Sequence, residues 1–127
     1  YGISLVQPGI RIHDLANAIA VKADSLGVIT MPDLYGHGTG IDLHEKPTIP
    51  FTRKALFREP IPNPKLQEGM VITIEPVIAL PSCKHRYIEE SDNWTLTTVD
   101  KSWSAQFEHT VHVTTTGYEI LTGTFKE

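Results

Sequence analysis

The sequence is poor in the features that several classes of protein require. Its 127 residues include a single cysteine, Cys83, which excludes an internal disulfide and fits a reducing compartment. Lys and Arg number 11 against 15 Asp and Glu, and no basic stripe is present to displace counterions from nucleic acid. The apolar runs are well short of the roughly 20 residues that a membrane helix needs. We therefore expect neither nucleic-acid readout nor a membrane partner.

The composition nevertheless indicates a folded chain. Hydrophobic residues make up 40% and charged residues 20%, which argues against disorder. The length suits one domain or half of a larger one. The chain begins at Tyr1 rather than methionine and shows no signal peptide. We therefore expect residues 1–127 to be part of a longer protein.

Hydrophobic periodicity predicts one amphipathic helix followed by several strands. The helix covers residues 7–27, ends at Gly27, and has an apolar stripe at three- and four-residue steps, formed by Ile12, Leu15, Ile19, Ala23 and Leu26. The predicted strands are residues 28–31, 70–80, 94–99, 105–114 and 118–122, the last two forming a hairpin. The proline-rich residues 44–69 are predicted as an ordered loop or edge segment, and residues 81–92 as a charged loop. This order of elements indicates an α+β fold with an antiparallel sheet that the helix covers.

Two glutamates interrupt strands that are otherwise apolar. Glu75 and Glu108 have no Lys or Arg close by in the sequence, and burying an unpaired carboxylate is costly. Each glutamate would be unremarkable if it faced solvent from an edge strand. Two of them, together with a histidine flanked by glycines, favour a site for a divalent first-row ion such as Mn, Fe, Co or Zn.

Two histidines follow the first strand. His37 lies within Gly36-His37-Gly38-Thr39-Gly40, where the glycines leave its ring accessible, although a histidine there also suits a purely structural role in the loop. His44 comes seven positions later, on a segment that we expect to line the same cleft. Its imidazole is a candidate donor to a developing oxyanion.

These motifs together resemble one enzyme family. The chain contains, in order, Pro8-Gly9-Ile10-Arg11, the glycine-flanked His37, His44-Glu45-Lys46-Pro47, residues 68–76 (EGMVITIEP), residues 105–110 (AQFEHT), and Val113-Thr114 followed by residues 117–122 (GYEILT). This set is similar to the type I methionine aminopeptidases, and the resemblance covers nearly the whole chain. In relatives that cleave before or after proline, an aspartate usually stands where this chain has His109.

The resemblance implies the C-terminal half of a pita-bread fold, an α+β architecture of two related halves around a dinuclear metal site. His37 and Glu75 resemble metal ligands, and Glu108 resembles the carboxylate that bridges the two ions. His44 resembles the histidine that contacts substrate near the scissile bond. Trp94 resembles a tryptophan of the methionine pocket, and Leu43 occupies a position that is usually aromatic in the bacterial enzymes.

The resemblance also implies that this chain lacks part of the site. The family has two further aspartate ligands and another histidine before the region that the chain covers, so we expect the chain alone to bind metal weakly and to be inactive. The complete enzyme would use two divalent ions to hydrolyse the N-terminal methionine from nascent polypeptides. It would act in the cytoplasm, near the ribosome.

Three alternatives remain open at the level of sequence. The chain could be a non-catalytic pita-bread module that binds a partner, or a proline-directed aminopeptidase or dipeptidase of the same fold. It could also be one subunit of a split enzyme, or a half that self-associates through an exposed sheet edge and apolar surface.

Overall fold

A computed structural model describes residues 1–123 of the chain. The last four residues of the predicted 1–127 unit lie outside the described residues.

The single long helix, α1, extends over Ile12–Ser25. It begins later than the periodicity predicts, because Pro8 and Gly9 form a turn in which the Gly9 N–H donates to the Leu66 carbonyl over 2.8 Å. It ends as predicted, since Gly27 has a φ of 77° and its N–H donates to the Asp24 carbonyl. The predicted apolar stripe is buried except at Leu26, which is 66% exposed because it lies past the last helical residue.

Short strands make up most of the remaining regular structure. They are β1 (Ile29–Thr30), β2 (Gly36–Gly38), β3 (Glu45–Ile49), β4 (Val71–Ile74), β5 (Val77–Ala79), β6 (Tyr87–Glu89), β7 (Leu96–Thr98), β8 (Ser104–Gln106), β9 (His109–Val113) and β10 (Tyr118–Ile120). Single 3₁₀ turns occur at Ile3–Leu5, Lys54–Leu56 and Pro81–Cys83. The strand at β3 confirms that part of the proline-rich region is an edge segment.

The strands form three antiparallel sheets. Five strands form the main sheet in the order β10-β9-β4-β2-β3, three form a second sheet in the order β1-β5-β8, and β6 pairs with β7. In the described residues, the helix and sheets therefore match the predicted α+β class, although the strands divide among three sheets rather than one.

Two predicted strands are each broken in two. Residues 70–80 form β4 and β5, separated at Glu75-Pro76, and residues 105–114 form β8 and β9, separated at Phe107-Glu108. After each break the chain passes between the main sheet and the second sheet, so that β4 pairs with β9 and β5 pairs with β8. Both candidate carboxylates thus lie at the junction between these sheets, where the backbone leaves one ladder and joins another.

The predicted charged loop at residues 81–92 is wrong in part. Its second half contains β6, which pairs with β7 in a hairpin in the register Ile88↔Thr97. Hydrophobic periodicity does not predict this strand, because Ile88 and Glu89 are both exposed. Without a buried face, the strand has no alternation of apolar and polar residues.

The main core lies between α1 and the five-stranded sheet. It contains buried side chains from both layers, among them Ile12, Leu15, Ile19, Ile49, Phe51, Ile72, Ile74, Val111 and Val113. A smaller cluster of Ile29, Met31, Ala79 and Cys83 supports the second sheet. The helix therefore fixes the sheet that carries His37, and the junction beside it carries Glu75.

The Ile72→Ala substitution is expected to lower the free energy of unfolding by about 2–5 kcal/mol, because Ile72 is fully buried at the centre of this core. Urea denaturation followed by circular dichroism measures the change. The matched control is Ile41→Ala, since Ile41 is 101% exposed and should change stability by less than about 0.5 kcal/mol. Equal losses in the two variants would contradict the position of the core.

Candidate metal centre

His37 lies in the middle of β2, on a backbone packed closely on both sides. A Cβ at Gly36 would lie 2.8 Å from Cζ of Phe51 and closer still to the Thr73 carbonyl oxygen. At Gly38, the carbonyl of Lys46 comes equally close. The glycines that flank His37 therefore do more than leave room around its ring: they allow β2 to fit between β3 and β4.

The hydrogen bonds of His37 define its tautomer. Its Nδ1 lies 2.9 Å from the Gly38 carbonyl oxygen, and because a carbonyl only accepts, Nδ1 must carry the proton. In the neutral ring, Nε2 then has a free lone pair, which is the form that binds metals. The His37 backbone N–H donates to the hydroxyl of Thr73 over 2.9 Å, which ties this strand position to β4.

Glu75 faces the same lone pair. Its Oε1 lies 3.5 Å from Nε2 of His37, and both side chains are 16% exposed. The Thr73 hydroxyl donates to Oε1 over 2.8 Å, and the Gln106 side-chain amide donates to Oε2 over 3.0 Å. Burial raises the pKa of Glu75, and the nearby charge of Glu108 adds to this, while the Thr73 hydrogen bond and the two histidines oppose it.

This pair fits part of a divalent metal site. An imidazole nitrogen and a carboxylate oxygen, both acceptors, face each other, so a cation placed between them would satisfy both. Two ligands about 2.1 Å from one ion in a tetrahedral site lie about 3.4 Å apart, which agrees with the separation of these atoms. Within residues 1–123, however, no three His, Cys, Asp or Glu side chains come together in a group able to hold an ion. The chain thus provides part of a ligand set.

His44 is brought to His37 as predicted. The two ring centroids are 4.3 Å apart with the planes inclined at 68°, an edge-to-face contact. His44 is exposed and immediately precedes β3. A histidine in this position can donate a hydrogen bond to a group bound beside the His37–Glu75 pair.

Glu108 differs from the expectation of an apolar environment. It is exposed, because it lies in the connection between β8 and β9 rather than within a buried strand. Its charge nevertheless contributes to raising the pKa of Glu75, and both carboxylates lie at the breaks where the chain passes between the main sheet and the second sheet. The expectation that Glu108 is buried is wrong, and its role as a ligand stays a prediction.

The two predicted pocket residues are not assembled with the histidines in this chain. Leu43 adjoins His44 but is 72% exposed, and Trp94 is 87% exposed in the turn between β6 and β7. The carboxylate of Asp92 accepts hydrogen bonds from the backbone N–H groups of Trp94 and Thr95 and thereby holds this turn. Neither Leu43 nor Trp94 lines the cleft at the His37–Glu75 pair.

That cleft has a volume of about 370 Å³, and its walls come from β2 and the residues before it, from β3 and the residue before it, and from the residue that follows β4. It is lined by Asp33, Leu34, Tyr35, Gly36, His37, His44, Thr48 and Glu75. The Tyr35 hydroxyl donates to Asp33 over 3.0 Å. Burial and the hydrogen bond to Asp33 raise the pKa of Tyr35 to about 12, so its hydroxyl remains protonated at neutral pH.

Sequence reasoning missed the residues that hold Glu75. Thr73 lies two positions before Glu75, and strand alternation could have placed both on one face, where the hydroxyl reaches the carboxylate. No pattern in the sequence predicts the role of Gln106. Its contact with Glu75 depends on the pairing of β5 with β8, in which Val77 is opposite Gln106.

The model of metallopeptidase family M24 matches residues 1–115, and the chain therefore belongs to this family of peptidases. Family membership implies the use of a divalent metal, in agreement with the donor atoms at the His37–Glu75 pair.

The chain is also similar to individual proteins that are named methionine aminopeptidases. The chain is 40% identical over 120 residues to "Methionine aminopeptidase" of Chlamydia pneumoniae, covering 94% of this chain and 39% of that protein. It is 38% identical over 122 residues to "Methionine aminopeptidase 1" of Bacillus subtilis (strain 168), covering 95% and 46% respectively. The chain thus spans less than half the length of these relatives.

Solved structures show the same fold. The crystal structure of methionine aminopeptidase from Thermotoga maritima superimposes with a TM-score of 0.85 at 37% identity, over 97% of this chain and 47% of that one. Prolidase from Pyrococcus furiosus matches with a TM-score of 0.63 at 25% identity, over 98% of this chain and 29% of that one. The resemblance to methionine aminopeptidases and the pita-bread α+β fold are both confirmed. No helix within residues 1–123 is long and apolar enough to cross a membrane.

Proposed function

We propose that this chain is the C-terminal part of a catalytic domain that removes the N-terminal methionine from polypeptides by metal-dependent hydrolysis. The observation that carries the proposal is the convergence of His37, Glu75 and His44 at one cleft, with metal-binding lone pairs facing each other at 3.5 Å. The relatives named methionine aminopeptidases support the same activity.

His37, Glu75 and Glu108 would hold the divalent metal, with Glu108 contributing its carboxylate from the break between β8 and β9. When bound, the divalent ions supply Lewis-acid chemistry and lower the pKa of a water molecule. Whether the ions are Co, Mn, Fe or Zn is left open by the oxygen and nitrogen donors. Thr73 and Gln106 orient the Glu75 carboxylate through their hydrogen bonds, in the way that outer residues tune metal ligands.

His44 would act on the substrate rather than on the metal. Its exposed ring is edge-on to His37, so its N–H can reach an oxygen that develops negative charge when the first peptide bond is attacked. Leu43 and Trp94 would form part of the methionine pocket when the domain is complete. Both are largely exposed in this chain and thus available for contact with substrate or with another segment.

The substrate would be a nascent polypeptide with a free N-terminal methionine, processed in the cytoplasm near the ribosome. A proline-directed activity is less well supported, because the similarity to prolidase is lower in both identity and TM-score than the similarity to the Thermotoga maritima methionine aminopeptidase. A non-catalytic module is disfavoured because the metal-binding lone pairs of His37 and Glu75 converge in the cleft.

The isolated chain is expected to release almost no methionine from the peptide Met-Ala-Ser, because residues 1–123 hold only part of a ligand set. A chimera in which this chain replaces the matching segment of the Bacillus subtilis relative should release methionine, and a chelator should abolish the activity. Turnover is measured by chromatography of the released amino acid, per mole of protein that is folded by circular dichroism.

The control substrate for both proteins is Ala-Pro, which tests the proline-directed alternative. A folded chimera that cleaves Ala-Pro but not Met-Ala-Ser would replace the methionine assignment with the proline-directed one. Robust, chelator-sensitive turnover by the isolated chain would refute the view that its ligand set is incomplete.

A further inference from the structure

The loop that carries His44 has little apolar packing of its own. Residues 39–44 join β2 to β3, and the pair that closes this hairpin is Gly38 and Glu45. Residues 40–44 are all exposed, including the apolar side chains of Ile41 and Leu43. Burial therefore does not determine the shape of the loop, and polar contacts have to keep His44 in place.

Hydrogen bonds hold this loop. The Thr39 N–H donates to the Val71 carbonyl over 3.0 Å and fastens the start of the loop to β4. The Asp42 carbonyl accepts from the Gly40 N–H over 3.2 Å and from the Thr39 hydroxyl over 3.3 Å. The Asp42 N–H donates to Oε1 of Glu45 over 2.9 Å. The bond to Glu45 is the shortest of these, and its acceptor is a carboxylate, which makes it a charge-assisted bond.

The Glu45 side chain fits closely against the loop. A Cβ at Gly40 would lie 3.0 Å from both carboxylate oxygens of Glu45, so glycine at this position lets the loop pass directly over the carboxylate. Glu45 is partly buried, although its neighbours His44 and Lys46 are both exposed. The carboxylate thus lies against the backbone of the loop rather than extending into solvent.

Glu45 and His44 face different clefts. His44 lines the cleft of about 370 Å³ at the His37–Glu75 pair. Glu45 lines a separate cleft of about 330 Å³ beside the start of β4. An effect of Glu45 on a substrate bound at the His37–Glu75 pair therefore has to pass through the loop.

We propose that Glu45 is a positioning residue for His44, an inference that rests on the role proposed above for that histidine. By accepting the Asp42 N–H, the Glu45 carboxylate closes a turn that contains His44. This turn restricts the backbone of His44 and keeps its ring in edge-to-face contact with His37, with the centroids 4.3 Å apart. A donor that is already in place does not have to be ordered when negative charge develops on the substrate, and this preorganisation favours the reaction.

The kinetic test uses the Bacillus subtilis chimera and the substrate Met-Ala-Ser. Glu45→Ala should lower kcat by about tenfold or more, as expected when a charge-assisted hydrogen bond is lost, with little change in KM. Glu45→Gln keeps an acceptor oxygen and should retain at least about a third of the rate. The matched control is Asp42→Ala, which removes an exposed carboxylate of the same loop. It should change the rate by less than about twofold, because Asp42 contacts Thr39 and Glu45 through its backbone.

A double-mutant cycle tests whether Glu45 acts through His44. If it does, His44→Ala and the double variant His44→Ala/Glu45→Ala should release methionine at the same rate to within about twofold. Gly40→Ala should also lower the rate, since its Cβ displaces the Glu45 carboxylate, and it should add nothing to the loss in Glu45→Ala. Metal binding, measured by calorimetric titration, should be unchanged in all these variants, because each keeps His37 and Glu75.

The position of the His44 ring is measured without turnover. In the metal-free chimera, a nuclear Overhauser effect between the ring protons of His37 and His44 reports the contact of the two rings. The effect should be present in the parent chimera, in Asp42→Ala and in Glu45→Gln, and it should be lost in Glu45→Ala. A folded parent chimera that releases no methionine would refute the proposed function, whereas this measurement would still decide whether Glu45 positions His44.

Three results would overturn the inference. If His44→Ala is slow and Glu45→Ala is not, His44 needs no support from the carboxylate. If the losses multiply in the double variant, Glu45 acts by a route other than His44. If the contact between the two rings is as strong in Glu45→Ala as in the parent chimera, other bonds hold the loop.

Discussion

Replacing Glu75 with alanine in the Bacillus subtilis chimera is expected to lower the rate of methionine release by about a thousandfold or more. Residues that only orient a metal ligand typically contribute 10–100-fold, and Glu75 is proposed to be a ligand itself. Its carboxylate is one of the two acceptors that face each other at 3.5 Å, so its removal leaves His37 without the opposite ligand. The measurement is kcat/KM for Met-Ala-Ser, together with metal content by calorimetric titration.

Two matched variants distinguish this role from a structural one. Gln106→Ala removes the amide that donates to Oε2 of Glu75 and should cost 10–100-fold, with weaker metal binding. Glu119→Ala removes an exposed glutamate of β10 that lies 3.6 Å from His112, and should change the rate less than twofold. A Glu75→Ala chimera that binds metal with unchanged stoichiometry and affinity would show that Glu75 is not a ligand.

Gly36→Ala is expected to lower the free energy of unfolding of the chain by about 3 kcal/mol or more. The added Cβ would lie 2.8 Å from Cζ of Phe51 and even closer to the Thr73 carbonyl oxygen. Phe51 is 1% exposed and Thr73 belongs to β4, so neither can move without disturbing the core. Urea denaturation monitored by circular dichroism gives the change.

The control for this substitution is Gly117→Ala, in the turn between β9 and β10. A Cβ there meets nothing within 4 Å, so stability should change by less than about 0.5 kcal/mol. If Gly36→Ala were as stable as Gly117→Ala, the close packing of β2 against β4 would be wrong, and with it the placement of His37.

Several parts of the fold could be predicted from the sequence, because they depend on residues that are close together in the chain. The apolar stripe from Ile12 to Ala23 predicts α1, since a helix must bury one face. Gly27 marks its end because a positive φ is required there. The motif around His37 was also recognisable, because close backbone approach requires glycine on both sides.

Other parts of the fold could not be predicted from the sequence, because they depend on which strands pair with each other. The run from Met70 to Leu80 is mostly apolar on both sides of Glu75-Pro76, so hydrophobicity does not show that its two halves join different sheets. In residues 105–114 the sequence likewise does not show that the chain changes sheets at Phe107-Glu108, and Glu108 is exposed at this break. β6 was missed because its exposed residues carry no alternating pattern.

The candidate ligands were thus identified from the sequence, by the order of the motifs around His37, Glu75 and Glu108 and by the cost of burying a carboxylate without a cation. Their geometry was decided by the tertiary structure. The 3.5 Å between His37 and Glu75, and the support of Glu75 by Gln106, arise from pairings of β2 with β4 and of β5 with β8. Such contacts join residues more than 30 positions apart, and no local preference encodes which strands will pair.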